Sequence, residues 1–396
     1  MILRLDFESR SQVPLGGKES VGAWNYANDA STEILMLAHK LDGEEVQLWQ
    51  PRFGPMPEHL RRALLDPNQK LSAFNSAFER YLLKYKLGID TAITRWEDPQ
   101  VGARYLSMPG SLDEVSDILG LPLSMAKDKR GAALIDLFCE QHKAKKKRGE
   151  PEVWYWNDWN SHPAEWEEFC EYCKQDIVAE EEVSRRMHIL GALPLPPFER
   201  RLWEFDQKVN DRGMPVDRDF VEKAYRLAVR AKKEALDAQN AITGLENANS
   251  PTQLLPWAKD RGYPFETLRK ETVDSVLKDP DITLAPECRQ VLTARREASS
   301  TSYQKLSAIM RQLSPDNRLR GQFIFMGSAR CGRWAGNSVQ LHNLARPSPE
   351  FENLDNVREA RQLIYAEDYE GIKVRFKSVL LTVKNCIRTV FVAETA

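Results

Sequence analysis

The stretch ILRLDFESRS, residues 2–11, alternates apolar and polar side chains with a period of two, the pattern of a strand whose two faces meet different surroundings. Leu3, Leu5 and Phe7 fall on one face; Arg4, Asp6 and Glu8 fall on the other. Two carboxylates at i and i+2 of a strand stand about 7 Å apart, close enough to share a cation. Without water or a positive partner they would repel each other and resist desolvation. That face must therefore meet solvent, a basic partner or a metal ion. The same Asp-x-Glu spacing recurs at Asp42/Glu44 and Asp368/Glu370, but only Asp6 and Glu8 lie inside an alternating apolar strand.

Working outward, STEILMLAHKLDGEEVQLWQ predicts two strands about an Asp42-Gly43 turn, followed by an amphipathic stretch in PEHLRRALLD. KLSAF predicts a short strand running into the helix SAFERYLLKYKL, and GSLDEVSDILGL and HPAEWEEFCEYCKQDIVAEEEVSRRMHIL have helical spacing with N-terminal signals. These elements make an α/β domain with a mixed sheet. The proline-rich GALPLPPFE, residues 191–199, breaks helix and places a boundary. Beyond it the chain turns helical, with helices expected over 217–240, from Ser250, and over 287–313, before RLRGQFIFMG returns to strand character.

The length of 396 residues leaves room for two or three domains, and 42% hydrophobic content is ordinary for a globular chain. The N-terminus has no basic-then-apolar signal, and no apolar run reaches the roughly 18 residues that span a bilayer, so a cytoplasmic protein without membrane partners is expected. Six scattered cysteines read as reduced thiols. Cys170 and Cys173 form a single C-x-x-C with no second pair, more simply a helix carrying two thiols than a zinc site. The net charge is −2, yet residues 286–347 hold ten Lys or Arg against three acids, an excess of +7. Such an excess fits a footprint for phosphate or a solvated helix face equally well. The basic run KAKKKR, Lys143–Arg148, would steer a nucleic-acid strand or simply be a solvated loop.

Two further motifs favour a metal ion beside Asp6 and Glu8. In FNSAFERY, Asn75 is placed to cap a helix with Glu79 in its first turns. In EYCKQD, Tyr172 and Asp176 are four apart and share a helix face. In order and context these three elements resemble the motifs of the DEDD 3′–5′ exonucleases in their tyrosine-bearing form, with Glu79 standing where Asp is usual. The resemblance implies an RNase H-like fold and two Mg2+ or Mn2+ ions per site. It implies that Asp6 bridges the ions, Glu8 and Asp176 complete one site, Glu79 serves the second through water, and Tyr172 orients the attacking water. Hydrolysis of a phosphodiester needs these residue types, because hard divalent cations take carboxylate oxygens.

From Pro196 onward the chain resembles the thumb and palm entry of a phage-type family-A DNA polymerase. The carriers are LWEFDQKVNDRGMPVD, SPTQLLPWAKDRGY and above all GSARCGRWAGNSVQLHNLARP, residues 327–347, where Cys331 replaces the family's Thr. The resemblance implies that Arg333 enters the minor groove beside the primer terminus, that Gln340 and Asn343 hold the template or primer backbone, and that Lys305 grips the duplex. The expected division is an exonuclease domain over 1–193, a thumb-like helical domain over 194–326 and the start of a palm over 327–396. No palm acid or fingers lysine of that family is matched, so a second polypeptide carrying them is an expected partner, with single-stranded 3′ ends and primer-template DNA as ligands. The apolar run from Lys373 to Ala393 is expected to leave a surface for that partner. Two other readings stand beside this one: a DNA-binding and assembly subunit with weak or no nuclease activity, and an RNA-trimming DEDD nuclease.

Overall fold

In the computed structural model, residues 1–121, 129–145, 150–298, 302–328 and 330–393 are described. The chain divides into two compact units, Met1–Gly213 with Leu319–Gln340, and Met214–Arg318 with Leu341–Ala396. The first unit runs β1 (Ile2–Arg10), α1 (Ala23–Asn28), β2 (Glu33–Leu41), β3 (Gln47–Trp49), α2 (Glu58–Leu65), β4 (Lys70–Ser72), α3 (Ala77–Leu87), β5 (Trp96–Glu97), α4 (Pro99–Tyr105), α5 (Leu112–Ile118), α6 (Lys129–Cys139), β6 (His142–Lys143), β7 (Trp154–Tyr155), α7 (Pro163–Ile189) and α8 (Pro197–Arg212).

Five strands form one mixed sheet in the order β3-β2-β1-β4-β5. β1 is its centre, antiparallel to β2 and parallel to β4. Its apolar face behaves as the alternation predicts: Leu3, Leu5 and Phe7 are buried with Leu37, Leu71, Leu82 and Trp96 in one core. Each such side chain removed from water contributes about 1.5–3 kcal/mol. Across the sheet, α6 and α7 bring Phe138, Trp166, Phe169, Cys173 and Ile177 against Met36 and Ala38. The polar face of β1 is thus covered by helix. Arg4 is the basic residue on that face, and it is committed to Asp42, at 2.5 Å, just before the turn glycine Gly43 at φ +85°.

The first unit extends past the boundary placed at residue 193, because α8 docks on α3 through a buried guanidinium. Arg80 donates to both carboxylate oxygens of Asp211, at 2.8 and 3.0 Å, and to Gln207 Oε1 at 2.9 Å, while the Tyr81 hydroxyl donates to Asp211 at 2.7 Å. This holds the helix that carries Glu79. The later return to strand character is a hairpin of Phe323–Ser328 with Arg333–Gly336, also in the first unit.

The second unit is built around the 26-residue helix Arg218–Thr243, capped by Asp217, whose carboxylate accepts from the Phe220 N–H at 3.1 Å. Helices Pro286–Ala298, Ser302–Gln312, Leu354–Tyr365 and Val379–Cys386 pack on it. Of the helix expected over 287–313, Pro286–Ala298 and Ser302–Gln312 are helical, and residues 299–301 lie outside the described set. The expectation of an apolar surface near the end of the chain is corrected. Val379, Leu380, Val383, Ile387 and Val390 are buried within this unit, because the run folds into helix and turns its apolar face inward. Val374, Leu381 and Val392 remain exposed. Among the described residues, no helix is long and apolar enough to cross a membrane.

Replacing Asp211 by Ala strands the Arg80 charge in a nearly water-free position. A loss of about 2–4 kcal/mol is expected, read as a lowered denaturant midpoint; an unchanged midpoint would show that the Arg80 pair does not hold α3 to α8.

Candidate functional site

Asp6 and Glu8 occupy half-buried positions on the helix-covered face of β1. The register of β1 against β2 shifts between Glu8 and Ser9, a bulge of the kind that re-aims side chains at strand positions next to functional sites. The Cys173 thiol on α7 donates to Asp6 Oδ2 at 3.6 Å and lies 3.8 Å from the Asp6 carbonyl oxygen. Ligand atoms of Asp6, Glu8 and Cys173 all fall within 4.8 Å of one another. Cys139, at the end of α6, places its sulfur 4.0 Å from Glu8 Oε2. Burial, with the charges of Asp6 and Glu8 adding to it, pushes the Cys173 thiol well above the usual range.

Glu79 enters from α3, in the first turn as expected. Its carboxyl is 96% buried, Oε2 has no hydrogen-bond partner among the described residues, and burial together with the Asp6 charge holds it well above the usual carboxylate range. The capping role expected for Asn75 is not observed: Ser76 is the cap residue, and Asn75 is exposed at φ +73°. The reason lies in Asp98, which accepts from the Asn75 N–H at 3.1 Å and from the Ser76 N–H and hydroxyl at 2.9 Å each. A carboxylate distant in sequence satisfies the donors that a local Asn side chain would have taken, and Asn75 supplies the left-handed turn that short polar residues tolerate.

Tyr172 and Asp176 come from α7. The Tyr172 ring stacks on Phe169, centroids 6.3 Å apart, and lies so close to α6 that a Cβ at Gly131 would stand 2.2 Å from its Cε2. Asp176 is half-buried, and its charge acts on the Cys173 thiol. One turn further on is Glu180, which the sequence reading did not single out. It is 97% buried, accepts from the Ser72 hydroxyl at 2.6 Å, and is pushed up to about 8, chiefly by burial, against the pull of Ser72 and Arg4. The spacing of four from Tyr172 through Asp176 to Glu180 was the available signal. The structure therefore brings Asp6 and Glu8 together with Cys173, sets Glu79 and Glu180 within the field of Asp6 and Asp176 within that of Cys173, and seats Tyr172 against Phe169 and Gly131.

The remaining candidates lie elsewhere. Arg333 is exposed on its strand, its Nε donating to Cys331 Sγ at 3.0 Å, and hydrogen bonds from Ser328 and Arg333 draw that thiol down to about 7. Trp334, next to it, anchors the hairpin by donating to Asp206 Oδ1 at 2.6 Å. Gln340 is exposed at φ +51°. Lys305 and Asn343 belong to the second unit, half-buried and exposed respectively. Several arginines of the +7 segment serve the fold instead of forming a solvent-facing stripe: Arg289 donates to the carbonyls of Leu277 and Ile282, Arg295 to those of Ala248 and Asn249, and Arg320 to that of Asp211. Of the run Lys143–Arg148, residues 146–148 lie outside the described set, and Lys143 pairs with Glu152 at 3.2 Å.

No protein-family model matches the chain. It is 32% identical over 396 residues to the DNA polymerase of Bacillus phage SP02, covering 98% of this chain and 57% of that protein. The chain thus spans little more than half the length of that relative. Among solved structures it is similar to the POL domain of Pol1 from M. smegmatis in complex with DNA primer-template and dNTP, with a TM-score of 0.49, 14% identity, and coverage of 87% of this chain and 53% of that one.

Folding raises the Glu180 carboxyl from 4.5 to about 8. Its neutral form is the one the fold favours, so its contribution is complete below pH 4.5 and is lost as pH rises toward 8. In chelator, the protein should therefore lose stability between pH 5 and pH 8, by on the order of 1 kcal/mol or more. Glu180→Gln should flatten that loss, as measured by urea unfolding at the two pH values; an identical slope in the variant would show that Glu180 does not titrate there.

Proposed function

We propose that the first unit is a metal-dependent 3′–5′ exonuclease of the tyrosine-bearing DEDD type, acting in proofreading within a phage-type DNA polymerase. On this reading the second unit, with Lys305 and Asn343, binds primer-template DNA, as do Arg333 and Gln340. The observation that carries the reading is the pair Asp6 and Glu8 on β1, with ligand atoms close together, and the buried Glu79 of α3 raised by the Asp6 charge. The likeness to the phage SP02 DNA polymerase along nearly the whole chain supports it.

The residues fit Mg2+ or Mn2+. Carboxylate oxygens are the donors such hard cations take, and Glu79, buried with an oxygen lacking a partner beside the Asp6 charge, is the arrangement a cation would relieve. Asp6, Glu8 and Asp176 would hold one ion and Asp6 with Glu79 a second; when bound, the two ions supply a nucleophile at neutral pH and charge relief on the leaving oxygen.

The chain's own groups do the positioning. A cavity of about 680 Å3 opens beside Glu8 and is walled by Phe7, Tyr26 and Phe78, a size suited to one nucleotide. Its aromatic walls would take the terminal base and exclude water. The Tyr172 hydroxyl would orient the attacking water, and Gly131 leaves the room that keeps the ring in place. The Cys173 thiol, donating to Asp6, fixes that carboxylate's orientation.

Substitutions at four positions test the reading on a 3′-labelled single-stranded oligonucleotide with Mg2+ or Mn2+. Asp6→Ala should abolish nucleotide release while leaving the fold intact; undiminished release would remove the assignment. Tyr172→Phe should slow the step at saturating metal by about ten- to a thousandfold without weakening metal binding, and Gly131→Ala should act in the same direction by displacing the ring. Glu79→Asp should keep activity that Glu79→Ala loses. A loss in Glu79→Asp as deep as in Glu79→Ala would show that the longer side chain is required.

A further inference from the structure

The β6–β7 ribbon takes no part in the chemistry above. It pairs His142 with Tyr155 and Lys143 with Trp154, two residues on each strand, so it encloses no core of its own. Yet Trp154 and Tyr155 leave 47% and 45% of their surface to solvent. Large aromatic faces kept exposed on so small an element mark an interaction surface more than a packing need. Trp156 follows directly after the strand. Cations sit over both rings, Lys143 Nζ 4.5 Å from the Trp154 centroid and the Arg10 guanidinium 4.9 Å from that of Trp156. Both cations also have carboxylate partners, Glu152 and Glu33, so the aromatic faces dominate and the charge is secondary. Trp154 also lines the same cavity as Glu8. A half-exposed indole therefore lines the same space as an acid of β1.

We propose that Trp154 is a stacking platform for a base of single-stranded DNA lying upstream of the 3′-terminal nucleotide, and that the β6–β7 ribbon guides the strand into the cavity beside Glu8. The proposal rests on the exonuclease reading for its polarity, since it places the terminal nucleotide at the acids. A single strand is the occupant because its bases have free π-faces, whereas those of a duplex are already stacked; stacking on an aromatic side chain is tolerant of sequence. Lys143, over one face of the Trp154 ring, adds attraction for the backbone phosphate and leaves the other face for the base.

The test uses the full chain. Binding of a 5′-fluorescein oligothymidylate is measured by anisotropy in EDTA, where no hydrolysis occurs. Hydrolysis of the p-nitrophenyl ester of thymidine 5′-monophosphate by the wild type is measured with Mn2+. Trp154→Ala and Trp154→Leu should each weaken oligonucleotide binding about tenfold or more, and Trp154→Phe should restore most of it. Trp154→Leu keeps apolar bulk on the ribbon without an aromatic face, so a defect shared by Ala and Leu but not Phe assigns the effect to stacking. Wild-type-like binding by Trp154→Leu, or no oligonucleotide binding by the wild type, overturns the proposal. Failure of the wild type to hydrolyse the ester, with the Trp154 binding defect present, overturns the exonuclease reading and leaves the stacking site standing.

Discussion

The first unit is organised around a conflict: the central strand of its sheet carries two carboxylates on a face that a 27-residue helix covers. Packing α7 on β1 buries Ile177, Phe169 and Trp166 against the sheet, and that apolar gain holds Asp6 and Glu8 in a medium that disfavours charge. The helix adds Asp176 and Glu180 from its own inner side, and α3 adds Glu79. Burial among like charges raises Glu79 and Glu180, which is the expected consequence of gathering carboxyls faster than cations are supplied. Proteins retain such arrangements where function requires them and offset the cost elsewhere in the fold.

The offset is visible in how the basic residues are used. Arg4, on the same face as the acids, is held by Asp42 and lies 3.6 Å from Glu181. Arg80, the residue after Glu79, points to Asp211 and Gln207 on α8. Two cations that sequence neighbourhood would have placed among the acids are thereby committed to structure, and the arrangement of acids is preserved. Asp98 does the corresponding work for the backbone, accepting donors from Asn75, Ser76 and Gln100 to fix the start of α3. Glu79 depends on that turn for its entry angle.

A similar division of labour separates Arg333 from other arginines of the basic segment. Arg289, Arg295 and Arg320 close loops by donating to main-chain carbonyls, so a count of charges along the sequence overstates what meets solvent. Arg333 is held outward instead, because its neighbour Trp334 is tied down by Asp206 and packs edge-on against Phe325, centroids 5.6 Å apart. An exposed guanidinium on an anchored hairpin is a better nucleic-acid contact than a longer basic run that the fold consumes.

Strands β1–β4 and helices α2, α3, α5 and α7 were legible in the sequence, whereas α1, α4, α6 and the short strands β5–β7 were not, because period two in residues 2–11 and the four-residue spacing of Tyr172 and Asp176 are local consequences of backbone geometry that short elements lack. The acids were legible for the same reason: Asp6 and Glu8 interrupt an apolar strand, and Glu79 begins a helix. What the sequence could not contain was the cap of α3, since Asp98 lies 22 positions from Ser76, or the seat of Tyr172, since Gly131 is on another helix. Glu180 was hidden among the acids 180–182, one of which faces inward only because of the angle at which α7 crosses the sheet. The apolar run near the end of the chain was read as uncovered because its partner, the helix Arg218–Thr243, lies far upstream. Periodicity tells which residues share a face; only the packing of one element on another tells what that face meets, and therefore whether an acid is solvated, paired or held for a cation.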